Sequence, residues 1–133
     1  MKLIRGRVEE AGQWGDKERF TGGVMLDRMA VIVDGDGPSA GDTLFVPGAR
    51  CHWHSHAGGQ ILIVKAGEGY VQTSGAPKHL VRAGDIVYFS PGEKSWHGAS
   101  ERTYFVHTAI SFGETSWFEE ANLDSSPGES RQR

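Results

Sequence analysis

Turn-forming residues recur at short intervals along this chain, and that spacing constrains the fold more than any other feature. Pro47-Gly48, Gly58-Gly59, Gly67, Ser74-Gly75, Ala83-Gly84-Asp85 and Pro91-Gly92 supply the fixed or positive φ angles that turns need. The segments between them are rich in Val, Ile, Phe, Tyr and Thr and are of strand length. They predict strands at Thr43 to Val46, Arg50 to His56, Gln60 to Lys65, Gly69 to Thr73, His79 to Arg82, Ile86 to Phe89 and Thr103 to Ser111. No long helical period competes. The expectation is an all-β chain of antiparallel strands. Before this stretch, Phe20 to Asp27 reads as an edge strand and Val33 to Pro38 as an exposed loop.

A chain of 133 residues supports one domain with a real core, and 38% hydrophobic with 23% charged residues is ordinary globular composition. The single domain is expected over residues 1–123. Residues 124–133, beginning Asp124-Ser125-Ser126-Pro127-Gly128, have nothing to bury and read as a disordered tail. The formal net charge is −3 and the basic residues are scattered, so no basic stripe exists to exchange counterions with a phosphate backbone. Nucleic acid is not an expected partner, and neither is a membrane. The one cysteine, Cys51, cannot pair within the chain, and Met1 to Glu10 has no apolar run of signal-peptide type. A cytoplasmic setting is the default expectation.

Chemistry concentrates in one strand. Side chains alternate faces, so an unbroken strand puts His52, His54 and His56 on one side and Cys51, Trp53 and Ser55 on the other. Solvated surface histidines account for one such imidazole but poorly for three in a row beside an apolar strand. A divalent cation explains the spacing: neighbours two apart both aim neutral ring nitrogens at it, and Gln60 returns a carbonyl oxygen across the Gly58-Gly59 turn.

Gly48, five residues, His54-Ser55-His56, three residues, Gln60, six residues, Gly67 resembles the first motif of the cupin superfamily, in which glutamate is commoner at the position of Gln60. Gly84 to His97, with its Pro91-Gly92 turn, resembles the second motif. Phe45 to Arg50, Trp53 to Val64 and Phe89 to Ala99 are similar to a subgroup of small bacterial cupins that includes manganese-dependent hydroxynitrile lyases. The likeness runs from Thr43 to Ile110 and gives a metal-site core over 43–111.

That resemblance implies an antiparallel jelly-roll β-barrel (a double-stranded β-helix), His54, His56 and Gln60 as metal ligands, and a homodimer. The subgroup's further active-site histidines match His97 and His107, which makes these two the expected catalytic residues. The family's fourth ligand is a histidine where this chain has Ser95. His52 or His97 is the expected replacement, with a water as the competing possibility.

One divalent transition metal per chain follows, manganese or iron favoured and zinc or nickel open. Glutamine in place of glutamate removes a negative charge and leaves the metal more Lewis acidic. Metal and histidine together suit a lyase acting on a small hydroxylated or carbonyl metabolite: cyanohydrin-type carbon–carbon cleavage, decarboxylation or cyclisation. An iron-dependent dioxygenase and a non-catalytic cupin that binds a metabolite or metal are the alternatives. His79, beside a turn, is expected at the surface. Trp53 and Trp96 are expected to pack outside the barrel or in a subunit contact, with Trp117 and Phe118 over a barrel end.

Overall fold

The computed structural model describes residues 1–4, 12–31 and 35–123, with no side chains described for 28–31. Its strands are β1 (Gln13–Trp14), β2 (Phe20–Thr21), β3 (Val24–Val31), β4 (Pro38–Phe45), β5 (Arg50–Cys51), β6 (His54–His56), β7 (Gln60–Thr73), β8 (His79–Arg82), β9 (Ile86–Phe89), β10 (Ser95–Ala99), β11 (Phe105–Phe112) and β12 (Thr115–Trp117). All pairings are antiparallel, in the order β1-β3-β4-β11-β7-β10-β5-β2, with β12 on β6, β6 on β10, and β8 and β9 on β7. The all-β expectation holds.

The curl of the sheet originates in β7. Its first half pairs with β11 and β9, its second half with β10 and β8, so one strand belongs to both walls of the barrel. Two segments expected as separate strands are therefore one. Gly67 sits at the change of partner with φ of +74°, and a Cβ there would lie 1.8 Å from the Tyr104 carbonyl oxygen. Only glycine fits so close an approach. Just before it, Val106 faces Ala66 but His107 faces Val64, a register shift that leaves Lys65 as the extra residue of a bulge and turns the strand beside His107.

Other boundaries moved for similar reasons. The strand expected over Arg50 to His56 is broken at His52-Trp53, because β5 pairs with β2 and β10 whereas β6 pairs with β10 and β12. Phe20 to Asp27 is split: β2 lies at one end of the order, and β3 lies inside it between β1 and β4. Of the expected loop Val33 to Pro38, Gly35 to Gly37 form a turn and Pro38 already starts β4; Val33 and Asp34 lie outside the described residues, as does the tail 124–133.

Two cores result. Inside the barrel, Val24, Phe45, Leu62, Val64, Phe89 and Phe105 pack beneath the open end. Behind the second wall, Cys51, Tyr70, Leu80, Trp96 and Ala121 form a smaller cluster, closed by the chain after β12. Trp53 exchanges backbone hydrogen bonds with Phe118 and Glu119, and Arg50 Nε donates to the Ala121 carbonyl at 2.6 Å. Trp96 is thus outside the barrel as expected but fully buried by the chain's own C-terminal segment. No helix of the described residues is long and apolar enough to cross a membrane.

Candidate metal centre

A cavity of about 220 Å³ opens at one end of the barrel, and His54, His56, Gln60, His97 and His107 all line it. Each expected ligand reaches it from a different local device. His54 and His56 alternate along β6, Gln60 begins β7 after the Gly58-Gly59 turn, His97 comes from β10 and His107 from β11. Trp117, opposite His54 in the β12–β6 ladder, stacks on the His54 ring at 4.8 Å with 27° between planes.

Hydrogen bonds decide which atoms the rings and the amide present. His54 Nδ1 lies 2.9 Å from the His52 carbonyl oxygen, which can only accept, so Nδ1 carries the proton and Nε2 keeps its lone pair. His56 Nδ1 meets Thr115 Oγ1 at 3.1 Å, and Gln60 Nε2 donates to Ser111 Oγ at 3.0 Å. Such partners, one step back from the site, are what fix ligand orientation in metal centres. The atoms on the far side, His56 Nε2 and Gln60 Oε1, are buried with no hydrogen-bond partner in the protein. His97 Nδ1, both His107 nitrogens and Ser95 Oγ are in the same state. Burying an unpartnered polar group costs about 1–3 kcal/mol, so a native chain that gathers several in one cavity is built to hold a bound group there.

The imidazoles are in the right protonation state. Burial pushes His54 and His56 down to about 4, the neighbouring His54 adding to the effect at His56. His107 is likewise pushed down to about 4 by burial, against the pull of Asp42. His97 falls well below the usual histidine range, from burial first and then from His107, His54 and His56. At neutral pH all four offer lone pairs rather than charge. Neutral imidazole with amide oxygen fits a divalent transition metal.

Cys51 Sγ and ring nitrogens of His54 and His97 lie within 4.8 Å of one another, so a thiol also stands at this site. Its chemistry is already committed. The thiol donates to the His97 carbonyl at 3.2 Å and accepts from the His97 N–H at 3.3 Å, while burial pushes it up to about 12. Without a metal the thiol is therefore protonated, and only a cation bound beside it would release the proton and add the sulfur to His54 and His97 as a ligand.

His52 departs from expectation. The strand break at His52-Trp53 cancels the period of two, and His52 does not line the cavity, whereas Cys51, expected on the opposite face, does. His52 contributes its backbone carbonyl to His54 instead. Ser95 is buried and lies across the ladder from His54. His79 is exposed as expected. Thr115, Ser111, Trp117 and Cys51 were missed: Cys51 because the break is invisible in the sequence, the others because no spacing links them to the histidine motif.

The comparisons with known proteins agree with this geometry. Residues 41–104 match the family model described as "Cupin domain". The chain is 43% identical over 110 residues to an (R)-mandelonitrile lyase of Granulicella tundricola, covering 83% of each protein. It belongs to the cupin family. A cupin-like protein from Thermotoga maritima superposes with a TM-score of 0.81 at 36% identity, over 89% of this cupin and 92% of that chain. A predicted oxalate decarboxylase from the same organism, 19% identical with a TM-score of 0.70 over 85% of this cupin and 100% of that chain, shares the fold.

Proposed function

We propose that this cupin is a metal-dependent lyase that cleaves a carbon–carbon bond in a small hydroxylated or carbonyl metabolite, by hydroxynitrile-type cleavage or a related decarboxylation. The observation that carries the reading is the convergence of unpartnered buried nitrogens and a carbonyl oxygen on one cavity, in a chain 43% identical to a mandelonitrile lyase. In this reading His54, His56 and Gln60 hold one divalent metal, manganese or iron being favoured. His97 takes the fourth place that Ser95 cannot fill. It lines the cavity with its ring 5.4 Å from that of His54, whereas His52 faces elsewhere.

When bound, the metal supplies Lewis acidity to the substrate's hydroxyl oxygen. The residues of the chain do the rest. Neutral His107, both of whose nitrogens are free of protein partners, accepts the hydroxyl proton as the carbon–oxygen double bond forms and the carbon–carbon bond breaks. The leaving carbanion takes the bonding pair and the proton that His107 now holds, the His107 ring standing 4.9 Å from that of His97. Phe45 and Phe89, packed against His97, keep water away from the exchange.

The test is turnover of mandelonitrile to benzaldehyde, and of simple β-keto acids, by protein purified without added metal and then loaded with manganese, iron or zinc. Metal-dependent turnover that His107→Ala lowers by about 10²-fold or more is the expected result. No turnover of either class with any metal, in protein that binds the metal, overturns the lyase reading.

The same reading has the chain working in the cytoplasm as a homodimer. Its free thiol supports a reducing compartment. For the dimer, support comes from the outer sheet face: Tyr88 and Ile86 on β9 are 61% and 69% exposed, pair with Ile61 and Ile63 of β7, and continue through Ile110 and Val106 of β11 to Leu44 of β4. An exposed apolar face of this kind is where a two-fold contact with a second copy would bury the most apolar surface.

A further inference from the structure

Among the described residues lining the cavity, Arg19 is the one whose side chain carries a full charge, and none is a carboxylate. Its place is set by the fold. A turn from Asp16, closed by the Phe20 N–H on the Asp16 carbonyl at 3.0 Å, leads into β2, and the Arg19 carbonyl accepts the His52 N–H at 2.7 Å. The guanidinium carbon lies 5.9 Å from the centre of the Trp117 ring, which itself stacks on His54. Arg19, Trp117 and His54 therefore form a layered series from the mouth to the histidines. Its counter-ion is loosely held: Asp16 is 3.7 Å away, both side chains are half exposed, and the Asp16 carboxylate also accepts the Glu18 N–H at 3.1 Å. Such a pair contributes little in water and leaves the guanidinium's forked donors free for another partner.

Charge accounting points the same way. His54, His56, Gln60 and His97 are all neutral donors, so a divalent cation held by them keeps its full charge, and Arg19 adds another. Among the described residues, Asp27 and Asp42 line the adjoining groove rather than this cavity, Asp42 near enough to act on His107. A low-dielectric cavity with uncompensated positive charge favours an anion, and a guanidinium favours a carboxylate.

We infer that Arg19 is a substrate-recognising residue and that the substrate is a hydroxy or keto acid, its carboxylate held at the Trp117 end of the cavity. This rests on the metal-site reading for the hydroxyl or carbonyl contact, but the carboxylate contact is Arg19's own.

The experiment measures calorimetric binding of mandelate and of its neutral counterpart mandelamide to the wild-type, Arg19→Gln and Arg19→Lys proteins, each metal-free and manganese-loaded. Wild type is expected to bind mandelate roughly tenfold or more tighter than mandelamide. In the metal-free proteins Arg19→Gln removes that preference with mandelamide binding unchanged, and Arg19→Lys restores part of it; in the manganese-loaded proteins, where the cation also attracts the carboxylate, Arg19→Gln lowers the preference. Equal binding of the two compounds by wild type, no binding of either, or a preference that survives undiminished in metal-free Arg19→Gln overturns the inference. Should the protein take up no manganese, the metal reading fails, and the metal-free series still decides the role of Arg19.

Discussion

The two faces of β7 and β11 are opposites of what a sheet usually shows. Inward, toward the open end of the barrel, they present Gln60, His107 and Ser111; outward, they present Ile61, Ile63, Val106 and Ile110. Buried polar groups lack protein partners on one side, and apolar side chains meet solvent on the other. Deeper in the barrel the ordinary rule returns, with Leu62, Val64 and Phe105 inside. The inversion is thus local, and it teaches that strand alternation alone does not say which face is core: each face is shaped for what it will touch. In the function proposed above, the inner one holds a metal and a polar substrate. The outer one is proposed to meet a second copy of the chain.

The largest expected effect comes from breaking the inner face. His54→Ala removes a ligand and the ring on which Trp117 stacks, and metal content by elemental analysis should fall to background, whereas His52→Ala, which keeps the backbone carbonyl, should retain the metal. Retained metal in His54→Ala would count against the site.

Acid comes next. The unfolded chain takes up protons on its histidines below about pH 6.5, while the folded, metal-free chain holds His54, His56 and His107 unprotonated until about 4. Each such residue favours the unfolded state as pH falls, by up to about 1.4 kcal/mol per pH unit. Stability should be flat above pH 6.5 and drop steeply between 6.5 and 4. Urea denaturation of chelator-treated protein across that range measures it, and a flat profile would mean that these rings are hydrated rather than buried.

Smaller effects separate the faces. Ser111→Ala leaves the inner face intact in shape but removes the acceptor that orients the Gln60 amide, so manganese affinity should weaken about tenfold without a change in fold. An unchanged dissociation constant would show that Gln60 orients itself. On the outer face, the proposed dimer predicts a two-chain wild type in sedimentation equilibrium that Ile86→Lys with Tyr88→Lys converts to a monomer while metal content per chain stays the same. Loss of both together would show that the faces are coupled, and an intact dimer would move the interface elsewhere.

Much of this was legible in the residues because it depends on short-range rules. Turn residues at Pro47-Gly48, Gly58-Gly59, Gly84 and Pro91-Gly92 bounded the strands, and the spacing of His54, His56 and Gln60 defined three side chains that the fold does bring to one cavity. For His97 and His107, more distant in sequence, strand alternation allowed a place facing the cavity, and family likeness supplied the functional role. His52 went wrong because a period of two holds only while a strand is unbroken, and the break depends on which neighbours β5 and β6 pair with, strands about 30 to 60 residues away in the chain.

By itself, then, the sequence determined an antiparallel β chain with a histidine–glutamine motif after a Pro-Gly turn, since turn chemistry and side-chain alternation act over a few residues. Tertiary structure decided what surrounds that motif. Pairing of β12 with β6 brings Trp117 and Thr115 to His54 and His56, pairing of β11 with β7 brings Ser111 to Gln60, and the turn before β2 brings Arg19 to the mouth. These contacts join segments far apart in the chain through backbone hydrogen bonds whose partners no local pattern encodes.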